Sequence, residues 1–335
     1  MTVSSNAAQM AEIIAIDQNP EQALARALAS LKAAELVAIP TETVYGLAAD
    51  ATNSRAVQRI YEAKGRPSYN PLICHVSDLA MAERHAHFDP LSRQLATAFW
   101  PGPLTLVLPL RAESTIASQA LAGLDTIAMR APRGFAGRLI DAFGKPLAAP
   151  SANGSGRISP TCAAHVEADL GQRIGLIVDG GACTIGLEST ILRVEDGTIR
   201  LLRPGGLSLG EIEAASGRKV VVKSAESKIG TMPQAPGMLA SHYAPRAALR
   251  LEAREVHPGE ALIRFGGVAI PGEDKAATVL DLSPSGDLAE AARNLFSALH
   301  AADASGVATI AIAPIPRHGL GQAMADRLAR AAAPR

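Results

Sequence analysis

Short apolar runs separated by turn residues recur along the first two-thirds of the chain. Residues 12–17, 36–39, 72–76, 104–108, 126–129, 174–178, 190–194 and 199–202 each read as a short strand. Between them lie helical stretches, among them 56–63 and 90–99. One helix start is explicit: Asn19 as N-cap, Pro20 at the first helical position and Gln22 three residues after the cap. Leu24, Leu28 and Leu31 follow at helical spacing and predict a buried face. Strands mixed with helices predict an α/β domain on an open twisted sheet. Periodicity does not order its strands.

The pattern changes near residue 217. A charged, β-branched run at 219–223 opens a stretch rich in Ser, Ala, Gly, Pro and Met, which reads as a connector over 218–248. From 249 onward strands at 262–265, 279–282 and 307–312 alternate with helices at 288–301 and 321–332. Leu288, Ala292, Leu295, Phe296 and Leu299 form the apolar face of the first of these helices. That alternation predicts a small, Rossmann-like parallel α/β domain at 249–335. The first ten or so residues, small and polar, read as a loose arm.

Length agrees with this division, since 335 residues at roughly 100–200 per domain suggest two. Hydrophobic residues at 48% and charged residues at 19% exclude a disordered polymer. Aromatics at 3% disfavour stacking of single-stranded bases. Thirty-two basic and 32 acidic residues leave no net charge, against coating nucleic acid by bulk electrostatics. Cys74, Cys162 and Cys183 stand far apart, which excludes a disulfide framework and a cysteine zinc ribbon. No uncharged apolar run reaches ~18 residues, so no membrane contact is expected. The first residues lack a basic segment followed by an apolar one. A cytoplasmic protein is the expectation.

Generic motifs mostly fail. Neither of the common glycine-rich phosphate loops occurs. GLSLG at 206–210 matches the hydrolase nucleophile pattern, but Ser208 and Glu211 also fit a capping box, and the helix cap is preferred. His85 and His87, one residue apart at a helix edge, are expected to face solvent rather than hold a metal. Cys74 lies in an apolar strand and reads as a packed thiol. No metal ligand is assigned.

What remains is a set of polar clusters where strands end: PTETVYGL at 40–47, KGRPSYNPL at 64–72 leading to His75, GLDTIAMR at 123–130, APSANGSGRISPT at 149–161, VDGG at 178–181 with GLEST at 186–190, and LLRPG at 201–205. Lys64, Arg66, Arg130 and Arg203 are the cations, and Thr43, Thr126, Ser151, Asn153, Ser159 and Ser189 the small donors. Singly, each cluster reads as turn chemistry. Together they suggest a site for a polyanion and a small polar molecule, because Arg recognises phosphate or carboxylate bidentately and Gly allows close backbone approach.

These runs, with WPGPLTLVL at 100–108, resemble in the same order those of the YrdC-like family of threonylcarbamoyl-AMP synthases. APGM at 235–238, HYAP at 242–245 and the added C-terminal domain resemble its long, two-domain form. The resemblance covers nearly the whole chain from about residue 20. It implies a YrdC-like catalytic domain at 1–217 with a concave basic cavity, and a linker at 218–248 folding over the active site. The implied reaction joins L-threonine, bicarbonate or CO2 and ATP, the latter with Mg2+, into L-threonylcarbamoyl-AMP and pyrophosphate. The product goes to a separate tRNA threonylcarbamoyl-transferase complex, which modifies tRNAs that read ANN codons.

Carried across by motif, Lys64, Arg66, Ser151 and Asn153 form the catalytic group. Thr43, His75, Arg130, Ala149 and Ser189 fall where the family holds L-threonine. Arg66, Asn70, Thr126, Ser151, Ser159, Arg203 and Tyr243 fall where it holds ATP. No single general base stands out. Alternatives are a carbamoyl-transfer enzyme of related fold, a double-stranded RNA or tRNA-binding module, which neutral charge weakens, and the hydrolase.

Overall fold

A computed structural model describes residues 10–222 and 241–334. Most of the expected arm, Lys223 and the APGM run lie outside the described residues.

An eleven-stranded sheet forms the first unit. Its strands are β1 (Glu12–Ala15), β2 (Val37–Ile39), β3 (Gly46–Asp50), β4 (Ile73–His75), β5 (Leu104–Pro109), β6 (Thr126–Arg130), β7 (Leu147–Ala148), β8 (Leu176–Asp179), β9 (Thr190–Glu195), β10 (Thr198–Arg203) and β11 (Val220–Val222). They run in the order β1-β8-β2-β3-β7-β4-β6-β5-β9-β10-β11, with parallel and antiparallel pairs mixed. β2, β3 and β6 are buried along their whole length. The run at 219–223, expected to start the connector, instead supplies edge strand β11, paired in parallel with β10. β3 and β7 were not anticipated. Each is short and lies against a motif run, so turn residues mask its apolar pattern.

The helices are α1 (Pro20–Lys32), α2 (Ser54–Lys64), α3 (Leu79–Glu83), α4 (Pro90–Phe99), α5 (Ser118–Leu121), α6 (Phe135–Phe143), α7 (Ala163–Leu170) and α8 (Leu209–Ser216). The Asn19 side chain accepts from the Gln22 amide at 3.1 Å, as the cap predicts. α1 buries Ala23, Ala27 and Leu31, while Leu24 and Leu28 are only partly covered. Leu31 is buried as expected, while in the two preceding turns Ala23 and Ala27, each one residue before the expected leucine, face the core. Ser208 forms a full capping box with Glu211 and starts α8, which removes the hydrolase reading. His85 is buried, 6% exposed, with Nδ1 3.2 Å from the Ser114 hydroxyl, contrary to the expected solvent position; His87 is exposed.

The second unit is a four-stranded, all-parallel sheet of β12 (Ala248–Arg250), β13 (Ala261–Arg264), β14 (Thr278–Asp281) and β15 (Thr309–Ile312), in the order β12-β15-β13-β14. It carries α9 (Leu288–Ala304) and α10 (Leu320–Ala331). Its apolar core is not self-contained, because Val44, Ile158 and Leu187 of the first unit belong to the same cluster as Phe296, Ile310 and Met324. No helix among the described residues is long and apolar enough to cross a membrane.

Candidate active site

The polar clusters converge. A partly open cavity is lined by residues from separate elements: Thr41 and Thr43 after β2, Arg66 after α2, His75 ending β4, Arg130 ending β6, Ala149 and Ser151 after β7, Glu188 and Ser189 before β9, Arg203 ending β10, and His242 and Tyr243. All five residues expected to hold threonine lie in this wall. Of those expected to hold ATP, Arg66, Ser151, Arg203 and Tyr243 do.

The other expected residues stand behind it. Lys64 is the last residue of α2, where Gly65 at φ +59° turns the chain out of the helix. Its Nζ donates to the carbonyls of both Ser151 and Asn153 at 2.5 Å. The amine is 3% exposed; burial, then the neighbouring Arg66 charge, pushes it well below the ordinary lysine range. Lys64 therefore pins the Ser-x-Asn loop from beneath. Asn153 donates to the carbonyls of Gly154 and Arg157. Asn70 is fully buried, and its backbone carbonyl accepts from Arg66 Nε at 3.1 Å. Both polar atoms of its amide lack a hydrogen-bond partner among the described residues. Ser159 donates to Glu188 at 2.5 Å. Thr126 begins the strand that Arg130 ends, outside the cavity wall.

Arg130 is locked on three sides. Its Nη1 donates to the Thr43 hydroxyl at 2.8 Å, Nε to the Gly102 carbonyl at 3.1 Å, and Nη2 sits 2.7 Å from Glu42 Oε1. Both members of that pair are nearly buried. Burial raises the Glu42 carboxyl, but the charge and hydrogen bond of Arg130 outweigh it and leave it below the usual range. His75 is driven down to about 3 by burial and then by Arg130, so it is a neutral imidazole. Burial also takes Arg66 down to about 10, leaving it cationic at neutral pH. Arg203 donates to the Ser189 carbonyl and hydroxyl at 2.9 and 3.2 Å.

Three further positions at or beside the cavity escape the motif reading. Glu42, Glu188 and His242 lie inside the runs PTETVYGL, GLEST and HYAP, each next to a residue that was picked. Glu42 and Glu188 are buried charges whose partners, Arg130 and Arg327, are remote in sequence, and the His242 ring packs on neighbouring Tyr243 with centroids 4.1 Å apart.

The family model Sua5/YciO/YrdC, described as telomere recombination, matches residues 29–205. The model described as threonylcarbamoyl-AMP synthase, C-terminal domain, matches residues 207–333. The chain belongs to the Sua5/YrdC family of threonylcarbamoyl-AMP synthases, in the form that carries this C-terminal domain. It is 42% identical over 322 residues to the threonylcarbamoyl-AMP synthase of Bacillus subtilis, covering 92% of each chain. The crystal structure of Pyrococcus abyssi Sua5 complexed with L-threonine superposes with a TM-score of 0.86 at 38% identity, over 96% of this chain and 97% of that one. Escherichia coli YciO shares the fold of the first unit, with a TM-score of 0.53 at 22% identity over 58% of this chain and 96% of that one.

Proposed function

We propose that this protein is an L-threonylcarbamoyladenylate synthase, a nucleotidyltransferase that joins L-threonine, bicarbonate or CO2 and ATP into L-threonylcarbamoyl-AMP and pyrophosphate. It works in the cytoplasm and passes its product to a separate transferase complex that modifies tRNAs reading ANN codons. The observation that carries this is one cavity in which three guanidinium groups, two imidazoles and several hydroxyls meet from separate elements. Membership in the synthase family supports the same reading.

In this reading the threonine amine takes up CO2 and releases a proton, giving an N-carboxylate. One of its oxygens bonds to the α-phosphorus of ATP as the bond to pyrophosphate breaks. Nucleophile and nucleotide are both anionic, so their approach needs fixed positive charge. Arg66 and Arg203 supply it on the nucleotide side. Arg130, aimed by Glu42 and Thr43, clamps the amino-acid carboxylate. His75, uncharged, offers hydrogen bonding without adding a proton source. Holding both substrates in line contributes as much as charge does.

Magnesium enters as the metal of the nucleotide substrate. Among the described residues no group of three or more His, Cys, Asp or Glu could hold a metal ion. Glu188 in the cavity wall and Glu42 beside Arg130 are both held in ion pairs. An ion carried on the phosphates suits this arrangement better than one caged by protein.

The test is pyrophosphate release by the full chain with ATP, Mg2+, bicarbonate and threonine. Release that needs threonine and falls at least ~100-fold in Arg66→Ala and Arg130→Ala is expected. Release that ignores threonine, or survives both substitutions, overturns the reading.

A further inference from the structure

The guanidinium of Arg327, on α10 of the C-terminal unit, is 0% exposed and reaches across to the first unit. Its Nε donates to Glu188 Oε2 at 2.7 Å and its Nη2 to the Pro204 carbonyl at 2.9 Å. Its Cζ sits over the Tyr243 ring, 5.0 Å from the centroid. Nη1 is held by Asp326 at 2.6 Å. Each cross-unit partner adjoins the nucleotide side of the cavity. The other oxygen of Glu188 accepts from Ser159, Pro204 follows Arg203, and Tyr243 is itself in the wall.

A second contact seats the same loop. Gly186, at φ +75°, lies so close to α9 that a Cβ would meet the Arg293 backbone at 2.4–2.7 Å. Phe296 of α9 stacks on Tyr243 with ring centroids 5.8 Å apart. The carboxylate clamp for threonine is anchored elsewhere: Arg130 is fixed by Thr43, Glu42 and Gly102, all within the first unit. A buried ion pair is a weak source of stability compared with apolar packing, whereas its fork geometry fixes orientation well.

We propose that Arg327 is a positioning residue for the nucleotide half of the site, so that the C-terminal unit completes the active site. This rests on the synthase reading above. Arg327 orients Glu188 and through it Ser159, holds the backbone beside Arg203, and fixes the Tyr243 ring.

The test uses the full chain carrying Arg327→Lys, which keeps the charge and loses the fork. It also uses Arg327→Met combined with Glu188→Gln, which removes both charges of that pair so that neither member is left without the other; Glu188→Gln alone is its control. Mg-ATP and L-threonine are titrated separately by calorimetry, and KM and kcat are measured for each substrate. Mg-ATP binding weakened ~10-fold or more, a matching rise in the KM for ATP, and L-threonine affinity within about twofold of wild type are expected, with the Lys variant intermediate. Folded variants with unchanged Mg-ATP affinity, or with both ligands weakened equally, overturn the proposal while leaving the synthase reading intact. Wild-type protein that binds no Mg-ATP overturns both.

Discussion

Lys64→Met keeps the side-chain length and deletes the charge, which separates two roles for this lysine. The structure puts Nζ 2.5 Å from the carbonyls of Ser151 and Asn153 in a position 3% exposed. Removing the donor strands two buried acceptors at ~1–3 kcal/mol each, a gross loss of about 2–6 kcal/mol. Relief from burying an ammonium, worth several kcal/mol, opposes it. The two effects offset, so a net change within about 3 kcal/mol is expected, and a domain with about 5–15 kcal/mol of stability stays folded. Activity falls much further, because the freed loop carries Ser151 of the cavity wall, and a shift of about 1 Å at a reacting centre costs ~100-fold. Urea denaturation followed by circular dichroism reads the first effect; threonine-dependent pyrophosphate release reads the second. Near wild-type turnover in a folded Lys64→Met protein refutes the pin. An inactive variant whose crystal structure keeps residues 150–154 in place refutes it too, and assigns Lys64 a direct charge role.

Other expectations follow from particular contacts. Glu42→Gln removes the counter-charge that aims Arg130, and should raise the KM for threonine ~10-fold or more with a smaller effect on that for ATP; steady-state kinetics decide. Gly186→Ala forces a Cβ into the Arg293 backbone at positive φ, so urea denaturation should show a loss of ~2 kcal/mol or more, and an unchanged midpoint contradicts the close approach. Burial pushes the Cys74 and Cys183 thiols up to about 12, so iodoacetamide at mild alkaline pH should label Cys162 first, with native mass spectra checking the order. Burial, joined by Arg130, holds His75 at about 3 in the fold, below its unfolded value. Its contribution is complete above about pH 6.5 and is lost as pH falls toward 3, by up to ~1.4 kcal/mol per pH unit. Denaturant titrations across that window should be shallower by one proton in His75→Asn, and equal slopes count against the burial argument.

Much of this architecture is legible in the amino-acid sequence. Asn19-Pro20 starts α1, Ser208 and Glu211 cap α8, and the apolar runs at 104–108, 126–129 and 190–194 form strands β5, β6 and β9, because caps and burial patterns are local properties. Short or motif-bearing strands were not legible. β3 begins at Gly46 inside PTETVYGL, and β7 has two residues, too few for a period. His85 was misplaced because its burial comes from the loop carrying Ser114, distant in sequence. At the site, motifs pointed to the cavity wall, yet the role of each cation depended on partners across the chain. Lys64 turned out to grip two carbonyls, and Arg327 lay in a helix that offered no motif at all.

Carbon-13 bicarbonate gives the most direct test of the central claim. The full chain is incubated with ATP, Mg2+, L-threonine and labelled bicarbonate, and the nucleotide products are separated and weighed by mass spectrometry. The account predicts an adenylate that contains threonine and carries the label, absent when any one component is left out. ATP converted only to ADP or AMP, or an adenylate without the labelled carbon, would contradict it.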